Sequence, residues 1–263
     1  MWQKLNHLYR ILATGFCFSV FGLGGLVLSL LVFPVQRLLI PDQHKRRQVA
    51  RYTVHRSFRF FIGLMRGLGV FNFDFPAKAE LEQSKGKILI ANHPSLIDVV
   101  ALISMLPQAD CVVKAQLFRN PFMRGVIQST GYLTNADPDL LLHDCAASLK
   151  SGNTLIIFPE GTRTTPGLAQ HFQRGAANIA LRSGCNFFAC FIQCKPSTLT
   201  KDEAWYQVPA QKPTLKIRVL REIDIQPFLQ LESASLAARQ LSRELETFYH
   251  QVMTTHGTTE NRT

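Results

Sequence analysis

A histidine and an aspartate follow the short apolar run Lys87–Ala91, within the segment NHPSLID at 92–98. An imidazole held by a carboxylate at one nitrogen keeps the other nitrogen free to take a proton from a hydroxyl. On one regular helix, five residues separate two side chains by about 140°. Pairing therefore requires His93 to lie in the loop, Pro94 to begin the helix and Asp98 to reach back. We interpret His93 as a general base oriented by Asp98; taken alone, the spacing also fits a cap or a buried polar pair.

A second polar group follows the apolar run 154–158, in the segment FPEGTR at 158–163. The Arg163 guanidinium is suited to bidentate binding of a phosphate or another anion. Gly161 allows the backbone to approach a ligand closely, and Glu160 could contact acceptor hydroxyls or orient the loop. The alternative is a strand-to-helix turn in which Glu160 and Arg163 pair with each other.

Short apolar runs alternate with helical stretches from about residue 76 onward. We predict strands at 87–91, 111–114, 131–134, 154–158, 187–193 and 215–220, and helices at 97–106, 116–128, 138–151, 174–183 and 233–256. Asp137 before Pro138 is a typical N-cap and first helical residue. This alternation predicts an α/β domain over 76–263, with a mostly parallel central sheet flanked by helices. Both polar groups then lie beyond the carboxyl ends of strands, where α/β sheets bind ligands.

Residues 1–75 are predicted to be membrane-binding helices. The 23 residues Ile11–Phe33 carry no charge, which is long enough for a helix to cross a hydrocarbon core of about 30 Å. We expect breaks at Pro34 and Pro41, followed by a basic amphipathic helix at 44–70. Its basic face (Arg47, Arg51, His55 and Arg59, at intervals of four) is expected to meet lipid headgroups. The alternative is a helix packed on its own domain.

The positive charge is concentrated in the same N-terminal segment. Residues 1–73 hold ten of the 29 Lys and Arg residues but only one of the 18 acids, so they carry nine of the eleven net positive charges. A nucleic-acid-binding protein would more often carry its charge across the body of the fold. We therefore expect an anionic membrane surface as partner and no nucleic acid. The basic flank after the apolar run favours the cytoplasmic face of the inner membrane.

The remaining motifs argue against metal and acyl-enzyme chemistry. The six cysteines have no zinc-type spacing and fit reduced, mostly buried residues. No Gly-x-Ser-x-Gly elbow is present, so a serine nucleophile is not expected. We predict no metal site and no cofactor.

Together, the motifs resemble those of the glycerolipid acyltransferase family, whose best-known members are the 1-acylglycerol-3-phosphate acyltransferases. The family's Asn-His-x-x-x-x-Asp motif is matched by Asn92, His93 and Asp98, and its Phe-Pro-Glu-Gly-Thr-Arg motif is matched by residues 158–163. The second family motif is matched by Lys114, Leu117, Pro121 and Gly125. The Phe-x-Arg-Gly motif is matched by Phe172, Arg174 and Gly175. The resemblance implies that His93 and Asp98 are catalytic. It implies substrate-binding roles for Asn92, Lys114, Glu160, Gly161, Thr162, Arg163 and Arg174.

The reaction implied is acyl transfer from an acyl thioester, carried by CoA or acyl carrier protein, to a hydroxyl of a lysolipid such as 1-acyl-sn-glycerol-3-phosphate. Two departures from the family pattern leave the acceptor open. Asp137 lies near the place where phosphate-acceptor enzymes usually carry an Arg, and the apolar run 187–193 replaces a valine- and proline-rich strand. The alternatives are the same chemistry on a lyso-aminolipid or a specialised polyketide-like lipid, and a non-catalytic membrane or lipid-binding protein.

Overall fold

The computed structural model describes residues 2–164 and 170–258; residues 259–263, the end of the predicted catalytic domain, lie outside it. Within these residues, a single sheet contains the strands β1 (Asn72–Asp74), β2 (Ile88–Ala91), β3 (Ala109–Val113), β4 (Leu133–Thr134), β5 (Thr154–Ile157), β6 (Phe187–Lys195) and β7 (Thr214–Ile223). Their order across the sheet is β1-β7-β6-β2-β5-β3-β4. Five strands run in one direction, and β7 and β1 run in the other. The predicted mostly parallel α/β sheet is confirmed.

Helices cover both faces of this sheet. They are α1 (Trp2–Val27), α2 (Phe33–Leu39), α3 (Gln43–Gly67), α4 (Lys78–Glu82), α5 (Asp98–Met105), α6 (Pro121–Thr130), α7 (Pro138–Lys150), α8 (Gly175–Ser183), α9 (Gln226–Leu229) and α10 (Ala234–Thr258). The hydrophobic core on one face includes side chains from α1, α3, α5 and α6, and the core on the other face includes side chains from α7, α8 and α10. The result is a three-layer sandwich.

The predicted break at Pro34 is wrong. Residues 2–39 form one continuous helical segment, in which a π-helical turn at Leu28–Val32 joins α1 to α2. Because proline has no N–H and its ring crowds the preceding turn, a wider turn directly before Pro34 accommodates the ring. The segment ends at Leu39, two residues before Pro41. It is long and apolar enough to span a membrane, and only 11% of its most apolar window is buried.

Both ends of this N-terminal segment contact the rest of the chain. The Tyr9 hydroxyl donates to the carbonyl oxygen of Leu68 at 3.1 Å, and Gln36 Nε2 donates to Thr53 Oγ1 at 2.9 Å. Since Leu68 follows α3 and Thr53 lies in its first half, the segment lies antiparallel along α3.

The expectation that one face of α3 meets headgroups is wrong for Arg51 and His55, which are buried. Arg51 Nη2 forms an ion pair with Asp110 Oδ2 at 2.8 Å, and its Nε donates to the carbonyl of Thr130. His55 Nδ1 lies 2.9 Å from the carbonyl oxygen of Ile103. The basic repeat therefore combines two residues that fix α3 to the domain with two exposed arginines, Arg47 and Arg59.

Several boundaries differ from those predicted. The predicted helix 116–128 is a 3-10 turn at Ala115–Arg119 followed by α6, because Pro121 begins a new helix that Asn120 caps. The elements β1, α4 and α9 were not predicted. The domain boundary at residue 75 stays a prediction; β1, just before it, pairs with β7.

Candidate active site

His93 lies in the loop after β2, and its ring reaches the first residue of α5. The Nδ1 atom of His93 is 2.8 Å from Asp98 Oδ2. The same carboxylate oxygen accepts the backbone N–H of Ser95 at 2.7 Å. An ionised carboxylate only accepts hydrogen bonds, so Nδ1 carries the proton and Nε2 keeps its lone pair. The predicted pairing is confirmed, although the helix begins at Asp98 and not at Pro94.

The surroundings of this pair hold the imidazole in one orientation. Asp98 is completely buried, whereas the His93 side chain is 15% exposed. The His93 ring stacks on Phe158, with ring centroids 4.2 Å apart and planes at 26°. Burial raises the pKa of Asp98 above its ordinary value, and the hydrogen bond and charge of His93 act in the opposite direction. Protonation of the imidazole would therefore stabilise the Asp98 carboxylate.

Glu160 joins the two polar loops. Its Oε1 accepts the backbone N–H of His93 at 2.9 Å, and its Oε2 accepts the Thr164 hydroxyl at 2.8 Å. The Thr164 N–H in turn donates to the His93 carbonyl at 2.7 Å. Burial raises the pKa of Glu160, against the effect of these hydrogen bonds. This geometry favours the loop-orienting role of Glu160 over direct contact with an acceptor hydroxyl.

Asn92 and Arg163 also bond to backbone groups. The amide of Asn92 exchanges two hydrogen bonds with the backbone of Ile192, at 2.7 and 2.8 Å, which continues the pairing of β2 with β6 past the end of β2. Arg163 Nη1 donates to the carbonyls of Leu199 and Thr200 at 3.0 and 2.8 Å. The alternative Glu160–Arg163 pairing is not observed. Anion binding by Arg163 stays a prediction.

The other predicted binding residues lie at different distances from His93. Gly161, with φ of +66°, and Thr162 form the turn after Phe158. Lys114 is exposed directly after β3, which is two strands from β2 with β5 between them, or about 10 Å at usual strand spacing. Arg174 is exposed at the N-cap of α8 and lines a cavity with residues of α7, α8 and α10. The structure brings together the 92–98 and 158–163 segments. Within the described residues, no hydrogen bond or ion pair joins the Arg174 side chain to either segment, although the neighbouring Gln173 donates its backbone N–H to the Pro159 carbonyl.

Asp137 is the N-cap of α7, as predicted. Its Oδ1 accepts the N–H groups of Asp139 and Leu140 at 3.0 and 3.1 Å. The carboxylate thus has a structural role at the position where the family pattern has a basic residue.

Three contributors to the site carried no usable sequence signal. They are Phe158 as a stacking partner, the carbonyls of 199–201 that hold Arg163, and Tyr249 of α10. The Tyr249 hydroxyl is buried, 2.6 Å from the Ile90 carbonyl and 2.9 Å from the Cys190 carbonyl. It thereby ties β2 to β6 just before His93. Each of these contacts joins residues far apart in the chain, and no local pattern encodes such a contact.

The acyltransferase family matches residues 72–193, which run from β1 into β6 and include both polar loops. The match covers just under half of the chain. The matched region also contains the second motif, whose Gly125 lies in α6 against Ser29 of the π-helical turn. The family match therefore covers the strands and loops that hold His93 and Asp98.

The chain is similar to several named proteins. The Helicobacter pylori 1-acyl-sn-glycerol-3-phosphate acyltransferase is 34% identical over 101 residues, 36% of this chain and 43% of that protein. The chloroplastic 1-acyl-sn-glycerol-3-phosphate acyltransferase BAT2 of Brassica napus is 27% identical over 182 residues, 65% of this chain and 50% of that protein. The human beta form is 24% identical over 174 residues, 60% of each. The chain thus spans 60% or less of the length of these relatives.

The chain also shares its fold with a solved structure, the 1-acyl-sn-glycerophosphate acyltransferase of Thermotoga maritima. The TM-score is 0.64 at 20% identity, covering 94% of this chain and 98% of that chain. This likeness includes the N-terminal helices and the sheet.

Proposed function

We propose that the protein transfers an acyl group from an acyl thioester of CoA or acyl carrier protein to a hydroxyl of a lysolipid. The observation that carries the proposal is the His93–Asp98 pair, in which a buried carboxylate fixes the proton on Nδ1. His93 Nε2 makes no hydrogen bond to the described residues and is free to act as a base. An intact pair of this geometry argues against a non-catalytic binding protein.

The reaction proceeds by direct attack. His93 Nε2 removes the proton from the acceptor hydroxyl while the oxygen attacks the thioester carbonyl, and Asp98 stabilises the imidazolium. Collapse of the tetrahedral intermediate breaks the C–S bond. The imidazolium proton passes to the departing thiolate, which leaves as a free thiol and restores neutral His93. A hydrogen-bond donor directed at the oxyanion of such an intermediate often stabilises the transition state by about 3–4 kcal/mol.

The acceptor that the site supports best is 1-acyl-sn-glycerol-3-phosphate, which would yield phosphatidic acid. Several similar proteins carry that activity in their names. Arg163 and Lys114 supply positive charge at the edge of the sheet where His93 lies. The cap role of Asp137 accounts for an acid at this position, because its carboxylate accepts two N–H groups at the start of α7.

Membrane association of the N-terminal segment is part of the same proposal, because a lysolipid acceptor partitions into membranes. Exposed apolar side chains run along residues 2–39, and Leu38 and Leu39 are 82% and 75% exposed. Basic side chains of α3 lie beside them. We propose an anionic membrane surface as partner and the cytoplasmic face of the inner membrane as location.

The test uses purified full-length protein in detergent micelles, with labelled acyl-CoA or acyl carrier protein and a panel of lysolipids, and identifies products by mass. His93→Ala and Asp98→Asn should each lower turnover by about 10²–10⁴-fold, the usual contribution of general-base catalysis. His143→Ala, which removes an exposed histidine of α7, is the matched control and should retain full activity. Full turnover by the His93 and Asp98 variants would overturn the assignment.

A further inference from the structure

A recess of about 340 Å³ lies between α2, α3 and α6, away from the His93 loop. Residues four apart on three helical segments line it: Phe33 and Arg37 of the N-terminal segment, Gln43 and Arg47 of α3, and Gly125 and Ser129 of α6. Residues three and four apart share one face of a helix, so three helix faces converge on this space. We call it the arginine recess.

The charge of the arginine recess is one-sided. Arg37, Arg46 and Arg47 line it, and none of the lining residues is acidic. Arg46 Nη1 is fixed by the carbonyls of Ile40 and Pro41, at 2.9 and 3.2 Å. Within residues 2–164 and 170–258, neither Arg37 nor Arg47 has a direct ion-pair partner. The Arg47 guanidinium lies against Gly131, and its charge acts to lower the pKa of the buried Asp110, which burial raises. Guanidinium groups that no carboxylate contacts directly are suited to bind a phosphate.

Gln36, which lines the arginine recess, also carries a buried acceptor. Gln36 Nε2 donates to Thr53 Oγ1, whose own hydroxyl proton goes to the Val49 carbonyl. These bonds fix the amide orientation and leave Gln36 Oε1 buried, with no partner in the part of the chain that the structure describes. An unsatisfied buried acceptor is costly. A ligand that brings both a phosphate and a hydroxyl donor would satisfy the arginines and this oxygen together.

The position of the arginine recess indicates the source of such a ligand. Leu38 and Leu39, directly after Arg37, are the most exposed leucines of the segment proposed to enter the membrane. Exposed Leu30, Leu31 and Val35 lie among the lining residues of the same segment, so the arginine recess adjoins the apolar surface. A polar recess beside an exposed apolar surface fits the level of lipid headgroups. Gln128 of α6 also lines a cavity with Asp110, near the start of β3, and Asn153, just before β5. This part of α6 therefore lies toward the amino ends of the strands, whereas His93 lies at the carboxyl end of β2.

We propose that the arginine recess is a second lipid site, which binds the phosphodiester of an anionic phospholipid whose headgroup carries a hydroxyl. The site holds a lipid that is not consumed and fixes the N-terminal hairpin of α2 and α3 at the membrane surface. This inference rests on the membrane association proposed above, but it does not depend on the acyl transfer reaction.

The experiment measures retained lipid by native mass spectrometry of the full-length protein in detergent, with phosphatidylglycerol as the probe. Wild-type protein should retain one molecule, and Arg47→Gln should weaken retention roughly tenfold, the loss of about one charge-assisted hydrogen bond. Arg59→Gln, an equal charge change at an exposed position of the same helix, is the matched control and should change retention less than about twofold. Equal losses in the two variants would show diffuse charge attraction and overturn the proposal, as would unchanged retention in Arg47→Gln.

Two further experiments test whether the bound phosphate belongs to a lipid and whether the protein binds membranes at all. Inorganic phosphate should compete weakly; displacement of the lipid at equal concentration would identify a free-phosphate site and contradict the lipid assignment. Flotation of wild-type protein with phosphatidylglycerol vesicles tests the underlying membrane association. If the wild-type protein floats with the vesicles but Arg47→Gln and Arg59→Gln retain lipid equally, the lipid site in the arginine recess is overturned and membrane association stands. If the wild-type protein does not float, the membrane association on which the inference rests is overturned.

Discussion

The buried carboxyl group of Glu160 joins both polar loops. Its hydrogen bonds stabilise the folded protein, whereas burial of its charge destabilises it. Its oxygens accept hydrogen bonds from His93 and Thr164, yet burial raises its pKa from 4.5. The folded state therefore keeps the proton to a higher pH than the unfolded state does. The stability linked to this group is present below the unfolded pKa and is lost as pH rises through the folded pKa.

Glu160→Gln should remove this pH-dependent loss, because the amide keeps an acceptor for His93 and offers a donor to Thr164. At pH 7.5 the variant should melt higher than wild type by about 2–4 °C, the shift that 1 kcal/mol produces in a chain of this size. The difference should vanish near pH 4.5. Thermal unfolding at both pH values measures this difference. A melting temperature of the variant that is lower than that of the wild type by the same amount at both pH values would contradict the prediction.

Asp137 provides a second prediction at the level of one residue. Asn caps helices about as well as Asp, so Asp137→Asn removes the charge and leaves the cap. If the carboxylate serves only α7, the KM for 1-acyl-sn-glycerol-3-phosphate should change less than about twofold and the melting temperature should stay unchanged. Steady-state kinetics with that acceptor and with an uncharged lysolipid check it. A KM that falls for the phosphate acceptor alone would show that Asp137 repels phosphate.

At the scale of elements, α6 and the N-terminal segment approach each other through glycines. A Cβ on Gly125 would lie 2.4 Å from Ser29 Cβ and Oγ, and a Cβ on Gly25 would lie 2.5 Å from the Phe122 carbonyl oxygen. Neither contact tolerates a methyl group without movement of a helix. The Gly125 of the second family motif is thus required by packing, and this contact sets one wall of the arginine recess.

Gly125→Ala should therefore destabilise the protein by about 1–3 kcal/mol, the usual cost of overpacking. Gly24→Ala is the control, because nothing lies within 4 Å of a Cβ there. Since alanine is favoured over glycine in helices by about 1 kcal/mol, that variant should melt at or above the wild-type temperature. Thermal unfolding in detergent compares the two, and Ser29→Gly should partly rescue Gly125→Ala. Equal melting temperatures for Gly125→Ala and Gly24→Ala would refute the packing argument.

Across the whole molecule, local signals were enough for the parts of the fold whose contacts are local. The strand before His93, the cap at Asp137 and the reach of Asp98 back to His93 follow from residue type and spacing. Burial of Arg51 did not, because its partner Asp110 lies 59 residues away. The same holds for the carbonyls that bind Arg163 and for β1, whose three residues are too few to show an alternating pattern.

The asymmetry of the two faces of the sheet leads to a prediction for the complete protein. Exposed leucines at 38 and 39 adjoin the basic helix, whereas Leu140 of α7 and Leu236 of α10 are exposed on the other layer. Burial of a leucine contributes about 1.5–3 kcal/mol, so changing Leu38 and Leu39 to Ser should weaken vesicle partitioning at least about 100-fold. Leu140→Ser with Leu236→Ser should leave it unchanged. Flotation with vesicles of mixed phosphatidylcholine and phosphatidylglycerol measures partitioning of both pairs of variants. A comparable loss of partitioning in the control pair would show that the face with Leu38 and Leu39 is not the specific membrane-binding face.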